Sequence, residues 1–465
     1  MYNLIRAVST AHNPKKASGF RRQASCDSAR RVGATTQSCS MAVCRSCPLN
    51  YAIFTAPEYP MRSIHRHLTR LLPRLLPTIV VFCHVGLLQA EPMVGPPVGL
   101  VLSADTVFVV SPDEPEAVRR AVRDVQNDWY KVMGRLPTIL KAPPQKKPWK
   151  GPLVYLGMKA PWLKEMCPDK FEGPECFAIR ATRDAHGNEA LVATGADMRG
   201  AIYAAYALSE ELLGVDPWYY WVDRQPEYKG RVEVPADYSK TWGPPTFKYR
   251  GFFINDEDLL NWFSPDPLGE NVFSLAMWDR VYELVLRLRG NTVIPGTFPF
   301  PDERSGELAS RRGLVNSQHH ILVAGLNTYH YPKREEYSYT EHPDVLEKHW
   351  STCIDVLNRY ETVWTVGFRG LHDRPFWWDD PNVTTPEARG KVISQAIAKQ
   401  VELIRKVRPD AEIITNLWWE GADLWHSGLL DLPEDVMVVW PDDGTGTIRD
   451  RGKVKEGHGI YYHTA

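Results

Sequence analysis

The chain has 465 residues, of which 43% are hydrophobic and 24% are charged, and its formal net charge is −1 at pH 7. This length and apolar content can supply more than one buried core, and the near-zero net charge excludes the strongly basic surface of a general nucleic-acid binder. The 16 Trp and 20 Tyr residues are high counts for this length. Aromatic rings stack on sugars, but they also fill cores, so composition alone leaves both roles open.

The first 90 residues have the composition of a leader rather than of a folded domain. Residues 1–60 are rich in Arg and Ser and contain only two acidic residues, which predicts a disordered extension or a start codon placed too early. From Met61 the chain has a basic opening, an apolar run and a small residue at Ala90. This pattern predicts a secretory signal peptide over 61–90, and therefore a secreted protein with no membrane segment after cleavage.

Residues 98–239 alternate between apolar runs and amphipathic stretches, which predicts a small α/β domain. The predicted strands lie at 101–111, 153–158 and 177–181, and the predicted helices at 114–133 and 198–213. Its helices have the spacing of core-packing elements, and no nucleotide-binding loop is evident. The Gly243-Pro244-Pro245 breaker predicts a linker over 240–245, with a second domain over 246–465.

From residue 249 onward, short apolar strands alternate with helices that carry apolar residues at three- and four-residue spacing. The predicted strands are 249–258, 291–296, 314–320, 362–373, 412–420, 436–443 and 459–463, and the predicted helices are 277–289, 306–312, 344–360, 386–407 and 422–430. Most of these strands end in polar or ionisable residues. Right-handed strand–helix repetition with such residues at one strand end predicts an α/β fold with a TIM-type (β/α) barrel.

A closed barrel of this type needs eight strands, and the pattern supplies seven. Either the chain is cut short or a partner supplies the closure. An open barrel would expose two long edges, so truncation is the favoured interpretation.

Two acidic residues follow neighbouring predicted strands. Asp373 ends the fourth strand and Glu420 ends the fifth, so parallel neighbours would bring both to the same barrel mouth. Glycosidic cleavage normally uses two carboxyl groups, one that gives a proton to the leaving oxygen and one that activates water or attacks carbon. The pair therefore indicates a glycosidase, with the alternative that either carboxylate only hydrogen-bonds a neighbouring loop.

Arg369 lies four residues before Asp373, and on an extended strand it would face the same side. A guanidinium group matches the carboxylate of a uronic acid, so Arg369 is a candidate for binding an acidic sugar. The alternative is a buried ion pair with Asp256 or Glu257.

Further candidate sugar ligands come as adjacent pairs. Neighbouring residues on a strand point to opposite faces, so at most one of His319 and His320 would enter the mouth. By the same alternation, one of Asp442 and Asp443 is a candidate sugar ligand and the other is structural. His320 and His463 are candidates to orient sugar hydroxyls or the uronic carboxylate.

Seven short motifs occur in a fixed order along the second half of the chain. They are YRGFFINDED, LRGNTVIPGTF, GLVNSQHH, TVGFRGLHD, NLWWE, WPDDGTGTIRD and GIYYH. In this order they resemble the xylan α-glucuronidases of glycoside hydrolase family 115, and the similarity runs from about residue 98 to the last residue. The resemblance implies removal of α-1,2-linked glucuronic acid or its 4-O-methyl form from xylan. It also implies further C-terminal domains, hence a shortened chain.

The resemblance also implies roles for particular residues. Glu420 would be the general acid and Asp373 the general base of an inverting reaction, while Asn255 and Asp256 would hydrogen-bond sugar hydroxyls. No cofactor is predicted, the expected partner is a polysaccharide such as glucuronoxylan, and a homodimer of the full-length protein is left open.

Four residues depart from the family pattern, at three places in the motifs. Ile321 follows the paired histidines where an acid is usual, Gly444 stands where an Asn is usual, and Trp418-Trp419 replace a common Tyr-Lys pair. These departures leave the predicted fold intact and weaken the substrate assignment. The two tryptophans would also desolvate Glu420 and raise its pKa, as a general acid requires.

Two other functions fit parts of the pattern. A metal-dependent hydrolase could collect His319, His320, His463, Asp373 and Glu420 on one metal, but the predicted barrel contains no H-x-H or H-E-x-x-H arrangement, and no metal site is predicted. A sugar-binding module without turnover is the other alternative. Binding of glucuronoxylan without release of uronic acid would favour it.

Overall fold

The computed structural model describes residues 99–145, 149–168, 170–255, 274–297 and 301–463. The predicted extension and signal peptide lie outside these residues, as do Asp256, Glu257 and Asp258. Within the described ranges, none of the helices combines the length and the hydropathy needed to cross a membrane.

The first part of the described chain combines a mostly parallel sheet with helices. The strands are β1 (Leu100–Ser103), β2 (Val107–Val109), β3 (Thr138–Leu140), β4 (Leu153–Gly157), β5 (Phe177–Arg183), β6 (Glu189–Gly195), β7 (Arg231–Val234) and β8 (Ser239–Trp242), and the helices are α1 (Glu116–Met133), α2 (Pro161–Met166) and α3 (Met198–Leu208). Six of the strands form one sheet in the order β3-β2-β4-β6-β5-β8, with antiparallel pairing only at β5. β1 pairs with β7 in a separate two-stranded sheet.

Local sequence explains where the two long helices of this part begin and end. α1 repeats apolar residues at three- and four-residue spacing, and it ends at Gly134, whose φ of 80° is left-handed. The side chain of Asp197 caps α3 by accepting a hydrogen bond from the Gly200 amide at 2.8 Å. Both predicted helices are confirmed, although the second continues into a π-helical turn at Ser209–Leu213.

Two predictions for this part are wrong. The single strand predicted at 101–111 is divided between β1 and β2, because a turn closed by the Thr106 amide on the Ser103 carbonyl separates them. The linker predicted at 240–245 begins inside β8, whose backbone pairs with β5. A strand at this point adds an edge to the first sheet before the chain leaves it.

The second part of the chain alternates parallel strands and helices. The strands are β9 (Gly251–Phe253), β10 (Thr292–Ile294), β11 (Val315–Asn316), β12 (Val363–Val366), β13 (Glu412–Asn416), β14 (Met437–Pro441) and β15 (Gly459–Tyr461). The helices are α4 (Leu275–Arg287), α5 (Arg304–Arg311), α6 (Pro343–Leu357), α7 (Pro386–Val407) and α8 (Glu420–His426). The mixed α/β architecture predicted from the sequence is confirmed.

The parallel strands of this part follow one another in chain order. β9, β10 and β11 form one sheet and β12 to β15 form another, and an isolated parallel bridge between Asn316 and Thr362 links the two. The rings of Phe253 on β9 and Tyr461 on β15 lie 5.5 Å apart between centroids. The strand row therefore curves until its first and last members meet through side chains. Among the described strands no ladder joins β9 to β15, so a barrel stays a prediction.

Several strands are shorter than the sequence predicts. β12 ends at Val366 rather than at 373, and β11 ends at Asn316 rather than at 320. The extra apolar residues belong to loops that turn back into the core, where Phe368 and Leu371 are buried. The strands were predicted too long because runs of apolar residues were interpreted as strand. A buried loop gives the same apolar pattern as a buried strand.

One hydrophobic core joins helices from both parts of the chain. α1 and α3 contribute Trp129 and Tyr206, and α4 contributes Trp278 and Tyr282 to the same cluster. The described residues between 99 and 463 form one compact unit. The domain boundary predicted near residue 240 stays a prediction.

A buried ion cluster lies where these helices meet. Arg287 Nη2 lies 2.8 Å from Asp128 Oδ2 and 2.7 Å from Glu283 Oε1, and all three side chains are almost fully buried. Ser209 Oγ donates a further hydrogen bond to Asp128 at 2.6 Å. The cluster links α1 with α4. Because its charges are buried, each depends on the others for stabilisation.

Replacing Arg287 with Met is expected to destabilise the fold by about 3–5 kcal/mol, because the buried Asp128 would lose its counterion and Glu283 would keep only Arg280. Urea denaturation followed by circular dichroism measures the loss. Arg231→Met is the matched control, since Arg231 pairs with Glu233 on the surface with both side chains more than 60% exposed. That control should lose less than about 1 kcal/mol. Equal losses of unfolding free energy in the two variants would show that the buried cluster stabilises the fold no more than the surface pair does.

Candidate active site

The residues singled out by the sequence lie in loops that leave the carboxyl ends of the parallel strands. In chain order, Asn255 follows β9, His320 follows β11, Arg369 and Asp373 follow β12, Glu420 follows β13, Asp442 follows β14 and His463 follows β15. The expectation that Asp373 and Glu420 terminate strands is wrong. Asp373 lies in the loop beyond β12, and Glu420 is the first residue of α8.

Arg369 connects the two predicted catalytic acids. Its Nη1 donates to Glu420 Oε2 at 2.7 Å, and its Nε lies 2.9 Å from Asp373 Oδ1. Its Nη2 also donates to the backbone carbonyl of Asp373 at 2.9 Å. Since both carboxylate oxygens contact nitrogens of one planar guanidinium, they are at most about 8 Å apart. The sequence correctly predicts that Arg369 and Asp373 share a side, but a loop rather than strand alternation brings them together.

Burial and the guanidinium act on the two carboxyl groups in opposite directions. Desolvation raises the pKa of Asp373 above its ordinary value, and the positive charge of Arg369 only partly offsets this effect. Desolvation likewise raises the pKa of Glu420, against the influence of Arg369 and with a small added contribution from Asp373. Both acids therefore hold protons more tightly than free carboxylic acids do. Raised values of this kind are typical of catalytic carboxyls.

The paired histidines form one wall of the site. The rings of His319 and His320 lie 3.9 Å apart between centroids, so the prediction that they point to opposite faces is wrong. Strand alternation does not apply, because both residues follow the end of β11. His320 Nε2 lies 3.0 Å from Asp373 Oδ1, and its ring stacks on Trp418 with centroids 5.0 Å apart.

Burial lowers the pKa of His320 well below its usual range, and the nearby charges of Arg369 and His463 lower it further. The ring is therefore neutral, and its Nε2–H can donate to an ionised Asp373. Burial also lowers the pKa of His319 well below its usual range. These histidines can orient a carboxylate without adding a charge.

Asp442 and His463 form a second pair beside this wall. Asp442 is fully buried and hydrogen-bonds the ring of His463, and its other oxygen accepts from the Gly446 amide at 3.1 Å. Burial acts to raise the pKa of Asp442, but the bonds from His463 and Gly446 outweigh it and lower the pKa. The ring of His463 lies 5.5 Å from that of Trp418, between centroids.

Asp443, the neighbour of Asp442, faces away from this pair. Its Oδ1 accepts from the Thr445 amide at 2.8 Å and from the Thr447 amide at 3.1 Å, so it closes an exposed turn. This arrangement agrees with the prediction that only one of the two aspartates points inward.

Asn255 follows β9, the first strand of the row. Its Oδ1 accepts a hydrogen bond from Thr297 Oγ1 at 2.8 Å, which places the loops after β9 and β10 side by side. Asp256, the other predicted ligand from this loop, lies outside the described residues.

Two features of the site had weaker sequence signals. Gln400 on α7 is fully buried and holds the backbone of Gly367 through both its N–H and its carbonyl, so it fixes the start of the loop that carries Arg369. A Gln inside the apolar stripe of α7 is the signal that could have revealed it. Asp373 and Trp419 have φ of 58° and 42°, and such left-handed backbone in larger residues concentrates at functional sites. No local pattern predicts these angles.

A cavity of about 30 Å³ is lined in part by Arg369, His320, Asn416 and Glu420. This space suffices for one or two water molecules. Among the described residues, no group of three or more His, Cys, Asp or Glu side chains is arranged to hold a metal ion.

Comparisons with known proteins give one family match and several similar solved structures. The family model described as glycosyl hydrolase family 115 matches residues 242–465. The chain is similar to a solved structure described as a novel family GH115 4-O-methyl-α-glucuronidase, BtGH115A, with specificity for decorated arabinogalactans. The two are 25% identical with a TM-score of 0.67, over 79% of this chain and 50% of that chain. This chain thus spans about half the length of that protein.

Other solved structures are less similar. A Flavobacterium johnsoniae chitobiase is 11% identical with a TM-score of 0.44, over 79% of this chain and 58% of that chain. A Streptomyces plicatus β-hexosaminidase is 12% identical with a TM-score of 0.43, over 79% and 72% of the two chains. A search of curated proteins gave no match. The match over residues 242–465 and the similar solved structure together support a protein of glycosyl hydrolase family 115.

Proposed function

We propose that the protein is a secreted glycosidase that removes α-1,2-linked glucuronic acid, or its 4-O-methyl form, from xylan side chains. The observation that carries the proposal is the contact of Arg369 with both Asp373 and Glu420 at the carboxyl ends of neighbouring parallel strands. Family 115 membership supports glucuronidase chemistry. The similar solved structure is described as specific for decorated arabinogalactans, so these are the second polysaccharide to test.

Glu420 is the proposed general acid. Its carboxyl group is mostly buried, and burial raises its pKa, which favours the protonated form needed to donate to the leaving oxygen. Asp373 is the proposed general base. Its side chain is more exposed than that of Glu420, so water has better access to it.

Inversion of the anomeric centre is proposed for the reaction. Inverting glycosidases hold their carboxyl groups roughly 6.5–9.5 Å apart, and this spacing leaves room for a water molecule. The shared contact with Arg369 limits the separation to about 8 Å, which admits both the inverting range and the roughly 5–5.5 Å of retaining enzymes, so inversion is proposed from the family resemblance.

Arg369 is also proposed to recognise the substrate carboxylate. A guanidinium has five N–H donors, and Arg369 uses one on Nη1 for Glu420 and one on Nη2 for the Asp373 carbonyl, which leaves a second N–H on each of these nitrogens. The remaining two can reach a uronic carboxylate in the same mouth, where burial strengthens a charged hydrogen bond.

We propose that β9 to β15 belong to a (β/α) barrel whose mouth carries this site. The sequential parallel order and the contact between Phe253 and Tyr461 support the barrel.

Incubation of the protein with glucuronoxylan is expected to release 4-O-methylglucuronic acid, measured by anion-exchange chromatography. Proton NMR during the first turnovers should show the β-anomer appearing first, because an inverting displacement reverses the α-linkage. A first product in the α-form would contradict the roles given to Asp373 and Glu420. Binding of the polysaccharide without release of the acid would favour a binding module instead.

A further inference from the structure

An exposed tryptophan stands directly beside the proposed general acid. Trp419 immediately precedes Glu420, and 55% of its side chain is accessible to solvent. The neighbouring Trp418 behaves differently, because its ring packs against His320 inside the site. Two adjacent indoles thus have different surroundings, one in the wall of the site and one at its rim.

The backbone of Trp419 is held in a costly conformation. Its φ of 42° and ψ of −105° lie in a region that side chains with a Cβ rarely adopt. Residues of this kind persist only where the surrounding structure holds them, and they concentrate at active sites and ligand contacts. In this loop the turn brings Glu420 to the start of α8 and leaves the indole facing solvent.

The indole is supported from one side by Arg449. The guanidinium carbon of Arg449 lies 4.7 Å from the ring centroid. The backbone of Arg449 is anchored, because its amide donates to the Pro441 carbonyl at 2.9 Å and its carbonyl contacts His426 Nε2 at 2.9 Å. Since the guanidinium lies over one face of the indole, we assign the solvent exposure of the ring to its other face and its edge.

We propose that Trp419 is a stacking platform for the neutral sugar of the leaving group, so that the polysaccharide backbone is held on the Glu420 side of the site. The inference rests on the proposed function, because the general acid must lie beside the leaving sugar. The apolar C–H face of a pyranose is complementary to an indole, and a ring fixed in advance binds with little loss of entropy. Trp419 is therefore a specificity-determining residue for the sugar that is released, rather than for the uronic acid.

The test compares two substrates that differ only in the leaving group. One is xylotriose carrying a single 4-O-methylglucuronic acid, and the other is the fluoride of the same uronic acid, which lacks a leaving sugar. Trp419→Ala is expected to lower kcat/KM for the oligosaccharide about 10-fold relative to the fluoride, mainly through KM, as loss of one aromatic contact predicts. Trp419→Tyr should restore most of this ratio, since a smaller ring can still stack.

Tyr130→Ala is the matched control, because Tyr130 on α1 has the same 55% exposure as Trp419. It should leave the ratio unchanged. An unchanged ratio in Trp419→Ala, or equal losses with both substrates, would overturn the inference.

If the wild-type chain releases no uronic acid, the proposed function fails separately, and calorimetric titration with xylotetraose still tests the platform. Binding of xylotetraose should then weaken about 10-fold in Trp419→Ala and not in Tyr130→Ala. Equal binding by both variants would again overturn it.

Discussion

Glu420→Gln and Asp373→Asn are each expected to reduce release of uronic acid from glucuronoxylan to background, a loss of roughly 10²–10⁴-fold in kcat. Each amide keeps the shape of the side chain but can neither give nor take the required proton. The rate is measured with reduced oligosaccharides and chromatographic detection of the free acid. Full activity in both variants would reject the catalytic pairing.

The two variants should differ when the leaving group needs no protonation. With the fluoride of the uronic acid, Glu420→Gln is expected to recover most of its activity, because fluoride departs without a general acid. Asp373→Asn should remain inactive, since water must still be activated. Glu412→Gln provides a control for loss of an acid outside the site, because Glu412 begins β13 at the end away from Glu420 and pairs with Lys248 on the surface. Recovery by Asp373→Asn instead would reverse the two assigned roles.

Arg369→Gln is expected to lower kcat/KM for glucuronides about 10²–10³-fold, similar to the loss of one buried donor at a charged centre. The buried guanidinium contacts both acids, and the substrate carboxylate is proposed to share it. Arg369→Lys should also lose activity, because an ammonium cannot contact both carboxyl groups with a planar fork. The loss should be larger for an aryl α-glucuronide than for the matching α-glucoside, and KM should rise mainly for the acidic substrate.

The same substitution should shift the pH dependence in a defined direction. Arg369 lowers the pKa of Asp373 and of Glu420, while burial raises both. Without the guanidinium, burial is unopposed by this charge, so both pKa values rise. A base is active above its pKa and an acid below its pKa, so both limbs of the kcat/KM profile should move to higher pH.

Arg451→Gln is a matched control for Arg369→Gln. Arg451 pairs with Asp423 on α8 at 2.7 Å, but both side chains are exposed. Its profile should coincide with that of the wild type. A profile for Arg369→Gln that stays in place, or moves to lower pH, would show that the guanidinium does not control the two carboxyl groups.

The links among these residues make the site a single electrostatic unit. His320 contacts Asp373, Arg369 contacts both acids, and Trp418 packs on His320. Substitutions within the unit are therefore expected to be non-additive, because each removes a partner on which the others depend. The Asp442–His463 pair adjoins this unit through Trp418.

The sequence was a good guide to element types and a poorer guide to element ends. The periodic apolar pattern predicted α7 at 386–407, and the structure has it at Pro386–Val407. The predicted strand at 362–373 shrank to Val363–Val366, because the buried residues Phe368 and Leu371 lie in a loop. Periodicity reports burial, and it cannot separate a strand from a loop that packs into the core.

The family resemblance, the order of strands and helices, and the strand that each candidate side chain follows can all be read from the amino-acid sequence. The bridging of Asp373 and Glu420 by Arg369, and the contact between His319 and His320, emerge only in the folded chain. These contacts join residues in different loops, and they depend on individual backbone angles such as the φ of 58° at Asp373. Periodicity arises from regular backbone geometry, so it fixes which strand end carries a side chain. In a loop each residue adopts its own backbone angles, and the packing of the whole fold selects them.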